Sequence, residues 1–473
     1  MRVRFLLVST LAAAALAVAA PAFGETFTKQ DLTIAGMGAT PLAATLYEPT
    51  SPPPAGGYPA IVMFHGLGGT RASMNVLAEG FFATQGYVVL TFDARGHGES
   101  GGLWGLDGPN ENGDAWALRD FLAARPEVNA QKLGAYGISL GGGAVWNSTA
   151  IGKVPWAAIV PEATWTSLYD ALLPQNLPKS GLVAQRGQLV PYSRTDPEIL
   201  AQKPDAIAGT NLPALRAFTD TRSARGKLGS VTTPTLILQG RRDFLFDLDQ
   251  ALAGFRELAG PKRLYLGDFG HAPSSFASPD LEYMETEARQ WFDRFLKDEP
   301  NGIDKRPPIE LAKSPFTGTV QYASVPATAK LVFHARGGSI GDTGAVVRTF
   351  TLPKRRLETF GAATVSTKIA SAAPSGHLVA VLSALAPDGS ETVVGDGGVP
   401  AAVSSKPRKA TIWLLDQVVS IAPGSRLRLT LAGTSTAQSA GNLLYLFGNP
   451  LGSRLGIAKV TITLSVLRTP VSR

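Results

Sequence analysis

The sequence of 473 residues predicts an α/β domain with a doubly wound, mostly parallel sheet, followed by an all-β sandwich domain. Apolar runs alternate with helical patterns over about residues 25–304, as they do in parallel sheets that are covered on both faces. Helical periodicity then disappears, and residues 305–473 contain short segments in which apolar and polar residues alternate. A third observation is a stretch at about 165–232, rich in proline, glycine and polar residues, that interrupts the first pattern.

In the first part, continuous apolar runs predict buried strands and amphipathic segments predict helices. The strand segments are YPAIVMFHG, YVVLTFDARG, KLGAYGIS, WAAIVPEAT, TPTLILQG and KRLYLGDFG. The helical segments are SMNVLAEGFFATQG, which ends at Gly86, GDAWALRDFLAARP, which Pro126 stops, and the closing helix LEYMETEARQWFDRFLKD. Residues 165–232 are too many for a simple connection and contain short helical pieces, so we expect a helical cap over the site.

In the second part, strict alternation predicts antiparallel strands. KVTITLSVL places Val460, Ile462 and Leu464 on one face, and SRLRLTLAG alternates in the same way. Turn signals such as Asp388-Gly389 separate these runs. The pattern is typical of a β-sandwich.

The N-terminus, residues 1–24, predicts a secretory signal peptide. It has a basic start, an apolar run and small residues at Ala22 and Gly24 before the expected cleavage site. An uncleaved membrane anchor is the alternative, but the apolar run is short for a span of roughly 20 residues. We therefore expect a secreted or periplasmic protein with no stable membrane span after cleavage.

The composition excludes several kinds of site. The chain has no cysteine, which excludes thiolate catalysis and cysteine-based metal sites. The formal net charge is +7, but the basic residues are scattered and no nucleic-acid-binding motif accompanies them. We expect no nucleic-acid partner, no metal and no cofactor. The sequence leaves the oligomeric state open.

The most informative motif is Gly137-Ile138-Ser139-Leu140-Gly141, between an apolar run and a small-residue helical pattern. A Gly-x-Ser-x-Gly motif in this position is typical of a nucleophile elbow, a tight turn from strand to helix that exposes the serine. Glycines are needed on both sides because a Cβ there would collide with neighbouring backbone. The helix N-terminus also favours developing negative charge. We predict that Ser139 is a nucleophile.

A serine hydroxyl needs a base that removes its proton during attack. The chain has five histidines. His271 follows the last predicted strand of the first part, in a loop over the carboxyl edge of the sheet, and we predict that it is the base; a loop histidine that caps a turn is the alternative. We interpret His65 as structural and assign no chemistry to the loop that contains His97. His334 and His377 belong to the second part.

The base in turn needs a carboxylate that holds its tautomer. Asp243 directly follows the buried strand TPTLILQG, and the chain order is then serine, aspartate, histidine. We predict that Asp243 is this acid. Asp247, Asp249 and Asp268 are alternatives, although the first two resemble helix-start residues.

Two further features concern the substrate. We expect the backbone N–H groups of Leu140 and of Leu67, in the loop FHGLGG, to bind the oxyanion. Glu162 follows the strand segment AAIV, so it should lie near the cap mouth, where a carboxylate could bind a substrate ammonium group. A capping or solvated glutamate is the alternative interpretation.

These motifs resemble the α/β-hydrolase superfamily over roughly residues 32–298. With the second part included, the chain is similar to the X-prolyl dipeptidyl-peptidase and cocaine-esterase group of serine hydrolases, through segments such as SGHLVAVLSALAPDGSETVVGDGGV and SIAPGSRLRLTLAGTS. The resemblance implies a C-terminal jelly-roll domain, and it gives Ser139, Asp243 and His271 the roles of nucleophile, acid and base. Leu140 stands where that group commonly has an aromatic residue.

We therefore predict an exported serine hydrolase that cleaves an ester or amide bond of a small-molecule or peptide substrate through an acyl-enzyme. Two other activities remain open, an X-prolyl dipeptidyl-peptidase and an acyl transferase. A non-catalytic protein that binds the cell envelope is the alternative from another class.

Overall fold

The computed structural model describes residues 26–186, 189–271, 278–372, 376–438 and 444–472. The predicted signal peptide lies outside these residues. No helix in the described part of the chain is both long enough and apolar enough to cross a bilayer.

Among the described residues, ten strands form the first sheet. They are β1 (Phe27–Ala35), β2 (Pro41–Pro49), β3 (Tyr58–Phe64), β4 (Val88–Phe92), β5 (Val128–Ile138), β6 (Ala158–Glu162), β7 (Thr235–Gly240), β8 (Lys262–Gly267), β9 (Ile309–Ala312) and β10 (Thr319–Tyr322). Their order across the sheet is β1-β2-β4-β3-β5-β6-β7-β8-β9-β10. The neighbours from β4 to β9 are parallel, while β1, β2 and β10 pair antiparallel with their neighbours.

The helices of this part are α1 (Asn75–Leu77), α2 (Pro109–Ala123), α3 (Leu140–Ala150), α4 (Leu168–Leu172), α5 (Ser180–Arg186), α6 (Pro197–Ala208), α7 (Leu212–Asp220), α8 (Leu248–Glu257) and α9 (Ser278–Leu296). Apolar residues of α2, α3 and α8 pack on one face of the sheet, and those of α9 pack on the other. All seven residues of β3 are buried, which is why its sequence is apolar without alternation. The predicted doubly wound sheet is confirmed.

The predicted helix SMNVLAEGFFATQG differs from a regular helix. Residues 71–85 form consecutive 3₁₀, α and π turns, and α1 is the only α-helical piece among them. Gly80 lies in the π turn, where a residue without Cβ weakens a regular helix. The segment ends at Gly86 in a left-handed conformation (φ 80°), as the sequence predicts.

The segment between β6 and β7 contains α4 to α7 and covers the carboxyl edge of the sheet. These helices pack on one another through Tyr169, Leu173, Ala206 and Leu215. We call residues 165–232 the cap, with the bounds that the sequence predicts. The cap therefore has a small apolar core of its own.

The remaining strands are β11 (Thr328–Ala335), β12 (Gly338–Ile340), β13 (Ala345–Thr351), β14 (Leu357–Glu358), β15 (Thr364–Ala372), β16 (Gly376–Leu385), β17 (Glu391–Ala401), β18 (Ser404–Trp413), β19 (Ser420–Ile421), β20 (Arg426–Ala432), β21 (Arg454–Ile457) and β22 (Val460–Leu467). One sheet has the order β11-β22-β15-β21-β12, with β18 beside β15, and a second has the order β13-β20-β16-β17. Inward residues of both sheets form one core, to which Val460, Ile462 and Leu464 contribute as predicted. The second part is an antiparallel β-sandwich.

The first sheet continues past residue 304, where the sequence predicts the boundary between the two parts. Strands β9 and β10 follow that position, yet β9 pairs parallel with β8 and extends the first sheet. Each of these strands has only four residues, so neither carries a periodic pattern that assigns it to one part.

Candidate active site

The serine of the predicted elbow lies between β5 and α3. Ser139 has φ 57° and ψ −114°, a conformation that costs energy for a residue with a Cβ. A Cβ on Gly137 would lie 2.1 Å from the carbonyl oxygen of Gly141, and one on Gly141 would lie 2.1 Å from that of Phe64. The backbone N–H of Ser139 donates to the carbonyl oxygen of Glu162 at 2.9 Å. The flanking glycines and this hydrogen bond hold the serine in the turn.

The structure brings together the three residues that the sequence predicts as a catalytic group. Ser139 Oγ lies 3.0 Å from His271 Nε2, and His271 Nδ1 lies 2.9 Å from Asp243 Oδ2. When Nδ1–H donates to the carboxylate, Nε2 is left as an acceptor for the serine hydroxyl proton. The arrangement has the geometry that nucleophilic catalysis by serine requires.

The carboxylate of Asp243 is fully buried and has four hydrogen-bond donors. Its Oδ1 accepts the backbone N–H groups of Leu245 and Phe246, both at 2.9 Å. Its Oδ2 accepts from Gln239 Nε2 at 3.1 Å in addition to the histidine. These donors fix the orientation of the carboxylate. Sequence reasoning missed Gln239, although it occupies the penultimate position of β7.

The loop after Asp243 is itself held by a lysine from the cap. Lys179 is buried, and its Nζ donates to the carbonyl oxygens of Phe244 at 3.0 Å and Leu245 at 2.9 Å. Burial lowers the pKa of Lys179. The ring of Phe246 lies edge-on to the ring of His271, with centroids 5.1 Å apart. No local pattern predicts these contacts, because Lys179 is far from the loop along the chain.

The alternative acids lie elsewhere. Asp247 Oδ2 accepts the backbone N–H of Asp416 at 3.0 Å, and burial raises the pKa of Asp247 to about 6. Asp249 is paired with Arg225, and Asp268 is paired with Arg242. Of the four candidate aspartates, Asp243 is the one that contacts the predicted base.

The other histidines are engaged in local structure. His65 Nε2 accepts the backbone N–H of Ala94 at 2.9 Å, while its Nδ1 lies 2.8 Å from the carbonyl oxygen of Gly66. Burial lowers the pKa of His97 to about 4. His334 lies in β11, and His377 lies in β16.

The two residues predicted to bind the oxyanion both border the cavity at Ser139. Leu140 is the first residue of α3, so its N–H lies at the open end of the helix. Leu67 follows Gly66, whose backbone packs beside the serine, since a Cβ on Gly66 would lie in ordinary contact, 3.6 Å from Ser139 Cβ. Their role as donors stays a prediction.

Glu162 borders the same cavity, but its carboxylate is engaged below the elbow. It is 3% exposed and accepts a hydrogen bond from the hydroxyl of Tyr136, which also lies 2.9 Å from Glu285 Oε1. Burial raises the pKa of Glu162 to about 7 and also raises that of Glu285. The carboxylate is thus neither solvated nor a helix cap, and its hydrogen bond to a tyrosine leaves it poorly suited to bind an ammonium group.

A cavity of about 310 Å³ opens at Ser139 and His271. This volume is at the lower end of the range for small-molecule sites, about 300–1,000 Å³. Its lining is predominantly apolar and comes from the elbow, the loop at Leu67 and all four cap helices. Within the described residues, no cluster of three or more histidine, aspartate or glutamate side chains is arranged to hold a metal ion.

One family model matches about half of the chain. The family model described as X-Pro dipeptidyl-peptidase (S15 family) matches residues 38–273. Curated relatives match over short stretches, and the chain spans only 33–43% of their lengths. One is a quorum-quenching protein, AidA, from Acinetobacter baumannii, which is 33% identical over 137 residues, or 28% of this chain and 43% of that protein.

Solved structures are similar over nearly the whole chain. A CocE/NonD family hydrolase from Staphylococcus aureus has a TM-score of 0.71 at 15% identity, over 93% of this chain and 94% of that one. An α-amino acid ester hydrolase has a TM-score of 0.65 at 13% identity, over 98% of this chain and 100% of that one. At these identities the likeness shows a shared fold. Together with the family match over residues 38–273, it makes the chain similar to hydrolases of the X-prolyl dipeptidyl-peptidase and cocaine-esterase type that carry a C-terminal β-domain.

Proposed function

We propose that the protein is an exported esterase or amidase that acts through an acyl-enzyme, with Ser139 as nucleophile, His271 as base and Asp243 as the orienting acid. The observation that supports this most strongly is the continuous hydrogen-bonded series from Ser139 Oγ through both ring nitrogens of His271 to the Asp243 carboxylate. Each of these side chains lies at the carboxyl edge of the sheet.

The reaction follows from that geometry. Ser139 Oγ attacks the carbonyl carbon of the substrate while His271 Nε2 takes the hydroxyl proton. The carbonyl oxygen becomes an oxyanion, which the N–H groups of Leu67 and Leu140 stabilise. When the tetrahedral intermediate collapses, His271 gives the proton to the leaving alcohol or amine. Water then repeats the sequence on the acyl-enzyme and releases the acid.

Peptide cleavage after proline is the second candidate, because the family model that matches is that of X-Pro dipeptidyl-peptidases. A dipeptidyl-peptidase needs an acidic group that binds the free amino terminus of its substrate. Glu162 is the acidic side chain on the described cavity lining, and it accepts a hydrogen bond from the hydroxyl of Tyr136. This supports an ester substrate over a dipeptide.

Export is proposed from the N-terminal sequence alone. Expression of the full chain in a Gram-negative host, followed by N-terminal sequencing of the periplasmic fraction, tests it. We expect a mature N-terminus at about Glu25. Retention of the intact N-terminus in the membrane fraction would instead support an anchor.

The nucleophile is tested with a fluorophosphonate probe and 4-nitrophenyl acetate. The wild type should be labelled on the peptide that contains Ser139 and should hydrolyse the ester. Ser139→Ala should lose labelling and on the order of 10⁴-fold in kcat/KM. Ser230→Ala, which changes an exposed serine of the cap, is the matched control and should behave as the wild type. Labelling of the S139A variant would show that another residue carries the chemistry.

A further inference from the structure

The cavity extends from the nucleophile into the apolar interior of the cap. Near Ser139 its lining includes Leu140 and Phe246, which pack with Leu168 and Leu182 of the cap. Farther into the cap, the lining includes Leu173, Ala206 and Leu215, which belong to the separate apolar core of the cap helices. A group attached to the reacting carbonyl would therefore pass from the elbow into a space walled by aliphatic side chains.

The polar side chains on this lining are mostly occupied by other partners. The hydroxyls of Thr195 and Thr219 donate to backbone carbonyls of their own segments. Lys203 Nζ donates to the hydroxyl of Tyr192, at the exposed side of the cap. Gln202 is the exception, because its Oε1 has no hydrogen-bond donor among the described residues. The described lining thus offers one free acceptor and one cation, Lys203, that has no carboxylate partner among the described residues.

We infer that the cap binds the acyl chain of an uncharged aliphatic ester, so that the natural substrate carries a hydrocarbon acyl group of medium length. This inference rests on the proposed function, since it needs an acyl-enzyme on Ser139. An ammonium group would lose its hydration in this cavity, which Lys203 also lines, without gaining a free carboxylate partner, and this is strongly unfavourable. A hydrocarbon chain instead gains free energy with each methylene that leaves water.

A series of 4-nitrophenyl esters from acetate to decanoate tests the inference on the wild type. Each methylene that enters the cavity should raise kcat/KM about fourfold, which corresponds to about 0.8 kcal/mol, until the cavity is full. The methyl esters of heptanoic acid and 6-aminohexanoic acid have acyl chains of equal length. Comparing them tests whether the cavity accepts a charged acyl chain. The ammonium ester should react at least 100-fold more slowly than the heptanoate.

A cavity-filling variant tests where the acyl chain of the substrate binds. Ala206→Phe should reduce kcat/KM for the octanoate at least tenfold and leave that for the acetate within about threefold. Ala201→Phe, on the exposed side of the same helix, is the matched control and should change neither value. If A206F does not fold, the substrate series on the wild type still decides.

The outcomes separate the two proposals. Turnover of the acetate that depends on Ser139, with no gain for longer chains or with a preference for the ammonium ester, would overturn the inference alone. Equal slowing of acetate and octanoate hydrolysis in A206F would also overturn the inference alone. Absence of both ester turnover and fluorophosphonate labelling would instead overturn the proposed function.

Discussion

Arg241 forms a fully buried ion pair with Glu358, and this pair joins the strand end that carries Asp243 to the β-sandwich. Arg241 Nε also donates to the carbonyl oxygen of Val418 at 2.9 Å. The backbone N–H of Val418 in turn donates to the carbonyl oxygen of Arg241 at 2.7 Å. The candidate acid lies two residues farther along the chain. The C-terminal part therefore supports the loop that positions the acid.

Breaking this pair should destabilise the protein strongly. Arg241→Met would leave Glu358 buried without its cation, which typically costs about 3–5 kcal/mol. Arg428→Met, which removes the partner of Glu391 in a more exposed pair, should cost only about 0–1 kcal/mol. Urea unfolding at pH 7 measures both free energies. Equal effects of the two variants would show that the buried pair contributes no more than an exposed one.

The orienting role of Asp243 predicts a large loss of activity without loss of fold. Asp243→Asn should lower kcat on the order of 10⁴-fold, because an amide does not hold the tautomer of His271 in which Nε2 is the acceptor. Asp249→Asn changes an exposed aspartate on the following helix and should retain wild-type kcat. A variant Asp268→Asn that is inactive beside an active D243N would move the assignment to Asp268.

Lys179 should act as a positioning residue. Lys179→Met leaves the carbonyl oxygens of Phe244 and Leu245 without this donor, and the loop whose N–H groups bind Asp243 should become less fixed. We expect kcat to fall about tenfold with little change in KM, and the acidic limb of the pH profile of kcat/KM to move, because the carboxylate no longer supports His271 equally well.

Two further variants complete that test. Lys179→Arg should restore part of kcat, and Lys227→Met, at a partly exposed lysine of the cap, is the control. If K179M lowers thermal stability but leaves both kcat and the pH profile unchanged, Lys179 is only structural.

Glu162 should make stability depend on pH in a defined window. Its pKa is raised from 4.5 to about 7 by burial, so the folded protein holds a proton there that the unfolded chain has already released. Stability should consequently fall as pH rises from about 4.5 to 7. Glu162→Gln should flatten this fall and raise Tm at pH 8, whereas Glu282→Gln, at an exposed position of α9, should not. An unchanged slope in E162Q would remove Glu162 as its source.

The predicted and observed positions agree best for the three side chains that follow closely on buried strands. Ser139 directly follows β5, Asp243 lies three residues after β7, and His271 lies four residues after β8. Because these strands are parallel, their carboxyl ends meet at one edge of the sheet. Strand order along the chain is then enough to bring the three side chains together.

Other features depend on information that local patterns do not carry. Lys179 and its partner loop are joined only by the folding of the cap, and β9 is too short to show a period. The sequence also did not predict towards which face of the sheet the side chain of Glu162 points. All residues of β6 are buried, so no alternation of polar and apolar positions distinguishes its two faces.

The pre-steady-state burst of 4-nitrophenol, with mass spectrometry of the quenched enzyme, tests the proposed acyl-enzyme most directly. The account predicts a burst of one equivalent per chain and an acyl adduct on the peptide that contains Ser139, with neither in S139A. An acyl adduct on a different residue, or steady turnover of the ester by S139A at the wild-type rate, would contradict it.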